Sequence, residues 1–185
     1  MESTEDFGMK PVPIGGVIGA DLTKSGRSRR IYIASSWKNA SLIRAVAHVL
    51  RNRGHEVFDF TDPENRVAGI DNFVFRASEW PGKTLDEIDW LEFLEYEPTK
   101  RAFKTDKSGL DWANTVLMLL PCGRNAHLEA GYGAGRGKDL FILGDLPIGQ
   151  YETMYLFAEG CYRAKDFRKL LDRLLLTKLQ AEASV

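Results

Sequence analysis

Two carboxylates stand where the patterning of the chain could put them to work. Glu129 ends the run Pro121-Cys122-Gly123-Arg124-Asn125-Ala126-His127-Leu128-Glu129, which follows the apolar stretch Thr115–Leu120 and opens a helix. Asn125 is a natural N-cap. With the cap there, Glu129 closes the first turn, where free backbone N–H groups and the helix dipole favour negative charge. That placement predicts a carboxylate ionised at neutral pH; the alternative is a surface Glu that only complements the dipole. The second carboxylate is Asp106. Counting from Phe103, the positions Asp106, Leu110 and Ala113 recur at helical steps and predict one inward stripe. A carboxylate on such a stripe needs a partner or a task, and capping an N–H or pairing with Arg or Lys is the structural alternative. Asp89 and Asp111 lie off that stripe or far from it and read as solvated.

Aromatic and glycine residues surround these positions. Tyr32 falls inside an apolar strand and Trp37 in the turn after it. Each has an ordinary reading, as core or as cover for the sheet, but an aromatic plane at such a turn can also stack a nucleobase. Behind Glu129, Gly131, Gly133, Gly135 and Gly137 occupy alternate positions, and each costs a helix about 1 kcal/mol relative to Ala. Close approach of the helix to the sheet or to a ligand would explain them. They are not a dinucleotide fingerprint, because they come after the start of the helix and not within the strand-to-helix turn.

The elements that must hold these residues alternate. Arg30–Ser35 reads as a buried strand. A helix follows from about Asn39, with Leu42, Ile43, Val46, Val49 and Leu50 on one face and Gly54 at its C-terminal cap. His55–Phe60 is a second strand, so the unit is βαβ and the sheet parallel. Thr61–Pro81 reads as loop. Thr84 and Glu87 make a capping box for a helix through Tyr96, and Pro98 suits the first turn of the next helix, which runs to about Ala113. Thr115–Leu120 and Leu140–Leu143 are apolar throughout, as strands covered on both faces are. Met154–Ala158 is the candidate fifth strand, and Phe167, Leu170, Leu171, Leu174 and Leu175 stripe a last helix. The pattern predicts a single-domain, flavodoxin-like doubly wound α/β sheet of about five parallel strands in the order 2-1-3-4-5 over residues 30–185. Ligands of such sheets bind at the switch point, here between the Ala34–Lys38 and Pro121–Glu129 turns. Residues 1–29 read as a tail or oligomer arm, with Arg27, Arg29 and Arg30 a solvated basic run.

Composition narrows the partners. Of 185 residues, 44% are hydrophobic and 28% charged, and the net charge of −1 gives no field to draw a nucleic-acid polymer or an anionic membrane. Cys122, Cys161, His48, His55 and His127 fall in no metal, haem or disulfide spacing, so neither metal nor cofactor is expected. No signal peptide or long apolar run is visible, which makes the cytoplasm the expected compartment.

Taken in order, these segments resemble the nucleoside 2-deoxyribosyltransferase family and the related 2′-deoxynucleoside 5′-phosphate N-hydrolases. Ile31-Tyr32-Ile33-Ala34-Ser35-Ser36-Trp37 is similar to the family's opening strand, Asp106-Lys107-Ser108-Gly109-Leu110 to its helix with a base-contacting Asp, and Leu128-Glu129-Ala130-Gly131-Tyr132 to its nucleophile segment. The resemblance spans roughly residues 30–143. It implies cleavage or transfer at an N-glycosidic bond, with Glu129 as nucleophile, Asp106 assisting the leaving base and Tyr32 supporting Glu129. It also implies Trp37 and Ser36 at the base pocket and a homo-oligomer. The chain departs from the transferases six positions before Glu129, where Gly123 replaces an acid. The hydrolases hold a 5′-phosphate at that turn, a task open to Gly123, Arg124 and Asn125. A non-catalytic nucleotide-binding module is the remaining alternative.

Overall fold

The computed structural model describes residues 28–64, 67, 69–71, 73–74, 87–150 and 152–176. The arm over 1–27 and the Thr84 half of the capping box lie outside them. Five strands, β1 (Arg30–Ala34), β2 (Glu56–Phe58), β3 (Thr115–Leu119), β4 (Asp139–Leu143) and β5 (Gly160–Tyr162), form one parallel sheet in the order β2-β1-β3-β4-β5. β3 is central and buried at every residue, as its unbroken apolar run requires.

Alternation along the strands sends side chains to two cores. On one face Ile31, Ile33, Leu117, Leu119 and Phe141 meet α1 (Ala40–Asn52) and α5 (Phe167–Leu175). Its α1 contribution is Ile43, Val46, Ala47 and Leu50; Leu42, expected on that face, is exposed. Gly54 follows with a φ of 83°, the left-handed conformation a helix terminator needs. On the other face Tyr32, Ala34, Val116, Met118 and Ile142 meet α3 (Glu97–Trp112) and α4 (Arg124–Gly135). Both carboxylates belong to these two helices.

Several local expectations change. The short α2 (Trp90–Glu95) is capped by Asp89, whose carboxylate accepts from the Leu91 and Glu92 N–H groups, so this Asp is a helix cap and not merely solvated. The fifth strand is Gly160–Tyr162, whereas Thr153–Phe157 is a 3-10 turn with Met154, Leu156 and Phe157 exposed. An apolar run that faces water cannot occupy a covered strand. No helix among the described residues is long and apolar enough to cross a membrane.

Arg29, expected in a solvated run, is buried. Its guanidinium bridges the N-terminal ends of β3 and β4 to the end of α5, donating to Thr115 Oγ1 at 3.1 Å, Asp139 Oδ2 at 2.6 Å, Leu174 O at 2.6 Å and Leu176 O at 3.0 Å. A planar donor array satisfies four acceptors at once, which a solvated side chain would leave to water. Its backbone N–H donates to His55 Nδ1 at 3.2 Å. Burial, with Arg29 and Arg53 nearby, lowers the His55 pKa to about 4. Removing the guanidinium breaks the buried ion pair with Asp139 and takes a donor from Thr115 Oγ1, Leu174 O and Leu176 O together, so Arg29→Met should cost about 3 to 5 kcal/mol of stability. Denaturant titration would measure the loss; a cost within 0.5 kcal/mol, the ordinary range of a surface substitution, would contradict the role.

Candidate active site

The two turns expected to meet at the switch point are tied to each other by Asn39. Its amide donates to Ser35 Oγ at 3.0 Å and to Pro121 O at 2.7 Å, while Ser35 Oγ donates to Leu119 O at 2.9 Å. Ser36 caps the intervening 3-10 turn by accepting from the Lys38 N–H. Trp37 is half exposed and meets the Phe60 ring edge-on at a centroid distance of 5.2 Å. Phe60 in turn packs on the core that holds Tyr32 and Ala34, which sets Trp37 at the outer edge of that core.

Below this rim two glycines decide how closely the helices sit. A Cβ on Gly133 would lie 2.5 Å from Val116 Cγ2, and one on Gly109 would lie 2.9 Å from the Phe58 ring. α4 therefore rests on β3 and α3 on β2 at distances that no larger residue permits. Of the other glycines behind Glu129, Gly137 takes a φ of 72°, while Gly131 and Gly135 face open space and have no steric explanation. Along α3 the expected inward stripe is kept at Asp106, Leu110 and Ala113 but not at its first position. Its buried ridge is Thr105, Gly109 and Leu110, and Phe103, expected inward, is 67% exposed.

Asp106 and Glu129 converge on Tyr32. Tyr32 is fully buried, stacked on Phe58 with ring centroids 5.3 Å apart. Burial raises its pKa well above 10, and the charges of Asp106 and Glu129 raise it further. Burial lifts the Glu129 pKa to about 8, Asp106 adds to the rise, and the Tyr32 hydroxyl opposes it. Burial alone lifts Asp106 to about 7. Among the described residues Asp106 has no hydrogen bond or ion pair, so none of them makes it a cap or half of a salt bridge. The Tyr32 hydroxyl perturbs Glu129 without closing a hydrogen bond on it: both that hydroxyl and Glu129 Oε2 are buried without a partner among the described residues. One is a donor and the other an acceptor.

The turn before Glu129 differs from expectation. Gly123, not Asn125, is the N-cap of α4, with extended dihedrals of −90° and −177°. Arg124 and Asn125 are the first two helical residues, both exposed and both without partners among the described residues. Glu129 thus sits in the second turn, past the free N–H groups, and desolvation outweighs the dipole. It is therefore not held ionised at neutral pH by its position.

His127 has no role in the sequence pattern but takes one in the fold. Its Nδ1 meets Gly123 O at 2.9 Å and its Nε2 meets Tyr155 Oη at 3.0 Å, joining α4 to the 3-10 turn before β5. A carbonyl at Nδ1 requires the proton there, so Nε2 accepts from Tyr155. The spacing Gly123 to His127 is one helical turn, but its partner Tyr155 is too distant in the chain for periodicity to find. Cys122 lies near Glu129 as a protonated thiol, burial pushing its pKa to about 11. Its sulfur is no nucleophile in that state. Among the described residues no cluster of His, Cys, Asp and Glu could hold a metal. A shallow concavity lined by Glu152, Thr153, Tyr155, Leu156 and Cys161 lies at the β5 edge, away from Asp106.

Comparison with protein-family models and with curated proteins finds no match to this chain. What the fold and geometry define is a flavodoxin-like α/β sheet with a buried carboxyl pair that has no cation partner among the described residues.

A raised pKa has a fixed thermodynamic sign. The folded chain binds more protons at Glu129 than the unfolded chain does, so its contribution to stability is present at low pH and disappears as pH rises through about 8. Glu129→Gln removes that penalty. The variant should melt above the parent at about pH 9 and the gap should narrow toward about pH 4; a gap independent of pH in thermal scans would contradict a buried, proton-binding Glu129.

Proposed function

We propose that this chain is an N-glycosidase or glycosyltransferase of the nucleoside 2-deoxyribosyltransferase kind, acting on deoxynucleosides through a glycosyl ester of Glu129. The observation that carries the reading is the pair Asp106 and Glu129, buried together against Tyr32 with no cation among the described residues to neutralise either. Retaining glycoside cleavage needs one carboxylate to attack and one carboxylic acid to protonate.

The steps follow from that division of labour. A Glu129 oxygen bonds to C1′ as the C1′–N bond breaks, and the departing base takes the Asp106 proton. In the second step water or another base gives up a proton to the Asp106 carboxylate and bonds to C1′, and the ester breaks. With pKa values of about 8 for Glu129 and about 7 for Asp106, the resting pair keeps its shared proton on Glu129. Catalysis then requires the Tyr32 hydroxyl, without a partner among the described residues, to close on Glu129 Oε2 when substrate binds, which would stabilise the anion there and move the proton to Asp106. The pair is active with one proton, so the rate should peak in the neutral range and fall on both sides. Trp37 and Ser36 stand at the rim where a base would stack. The apolar Met154, Leu156 and Phe157 are consistent with a homo-oligomer but do not define its interface.

Glu129→Gln should lose nearly all turnover and keep the fold. Asp106→Asn should be slow mainly toward poor leaving bases. Chromatography of released base measures both, and intact-mass analysis with a slow 2′-fluoro nucleoside should give a one-sugar adduct on Glu129. Near-normal turnover by Glu129→Gln, or an adduct elsewhere, would falsify the mechanism.

A second reading, a deoxynucleoside 5′-monophosphate N-hydrolase, is favoured by Arg124 and Asn125. Both side chains are exposed in the first turn of α4 and have no partner among the described residues, none of which lies within 4 Å of where a Gly123 Cβ would be. A guanidinium and free N–H groups there suit a phosphate. On this reading Arg124→Ala slows a monophosphate substrate at least tenfold, a loss of about 1.4 kcal/mol, while sparing the nucleoside. Equal effects on both would remove Arg124 from the site.

A further inference from the structure

The two helices that carry the carboxylates are joined by a polar strap one turn beyond them. Lys107 follows Asp106 on α3, and Tyr132 lies three residues after Glu129 on α4. Tyr132 Oη donates to Asp111 Oδ1 at 2.5 Å and accepts from Lys107 Nζ at 3.1 Å, and Lys107 Nζ reaches Asp111 Oδ2 at 2.5 Å. The ammonium also stands 5.2 Å from the centre of the Tyr132 ring. Asp111, read from the sequence as solvated, is thus the acceptor of an interhelical link. Lys138 adds to it from beyond α4, donating to the Asp111 and Ala113 carbonyls. An exposed ion pair within one helix contributes little. This one differs because a phenol on the other helix closes the triangle.

The sheet contacts do not do the same work. Gly109 and Gly133 fix how near each helix comes to the strands, but neither contact spans the gap between α3 and α4. We propose that Tyr132, with Asp111 and Lys107, is a positioning device that sets the separation of Asp106 and Glu129. Loosening it lets the helices spread, and the carboxylates with them. Their mutual repulsion then weakens and water enters, both of which ease the second ionisation. Other groups facing the pair are Tyr32 from β1 and Cys122 from the β3–α4 turn, with Arg136 and Lys138 beyond Asp111. Substitution of Tyr132 leaves all four in place.

The inference takes the chemistry of the pair from the function proposed above, but its test does not need turnover. Carboxyl carbon resonances of Asp106 and Glu129 would be followed by NMR from acid to alkaline pH in the parent, Tyr132→Phe, Asp111→Asn and Lys100→Ala. Tyr132→Phe should lower the upper midpoint by about half a unit or more. Asp111→Asn keeps an acceptor for the phenol and should recover most of that shift, and Lys100→Ala, which breaks exposed ion pairs near the start of α3, should leave the titration unmoved. If Tyr132→Phe does not fold, Lys107→Met removes the ammonium and keeps the stem. A Tyr132→Phe titration that overlays the parent, or a Lys100→Ala shift of equal size, overturns the proposal. Should no nucleoside or nucleotide release its base, the functional reading fails while the titration still decides the strap.

Discussion

Two carboxyl groups buried side by side with no counter-cation among the described residues are the constraint on which the rest of this structure turns. Desolvation opposes each charge, and each charge opposes the other. Such a pair persists only if the surrounding packing is strong enough to hold it. Here β3, buried along its whole length, and the two cores on either face of the sheet supply that packing. The glycines at 109 and 133 then bring the helices into direct contact with the Phe58 and Val116 side chains of the strands.

Tyr32 gives the pair its asymmetry. It reaches toward Glu129 from the strand below, whereas no comparable group reaches Asp106 among the described residues. A buried phenol is a poor acid, so it remains a donor throughout the range in which the carboxyls titrate. Two groups with nearly the same intrinsic chemistry can therefore take different parts in one reaction, with identity decided by neighbours and not by residue type.

Much of this architecture was legible because it depends on periodicity and on strand composition. The apolar runs at 115–120 and 140–143 could only be covered strands, and Gly54 could only end a helix cheaply. The site was legible as a set of residues but not as an electrostatic state. Placing the cap at Asn125 instead of Gly123 shifted Glu129 by two positions and reversed the expected protonation. The missed features share one physical trait: Arg29 with Asp139, His127 with Tyr155, and Tyr132 with Asp111 are contacts between residues more than twenty apart in the chain. Local pattern carries no information about them. Phe103 shows the complementary limit: Asp106, Leu110 and Ala113 of the expected stripe are buried, but Phe103, nearer the start of the helix, is exposed.

The Arg29 guanidinium holds both the approach to β1 and the last turns of α5, at the pole of the sheet opposite the carboxyl pair. The chain thus enters and leaves its folded body through one clasp. Tension applied between Ser28 and Leu176 would act first on that clasp, peeling α5 from its core before any strand is loaded in shear. Mechanically, the two helices that carry the buried carboxyls lie behind the fastening.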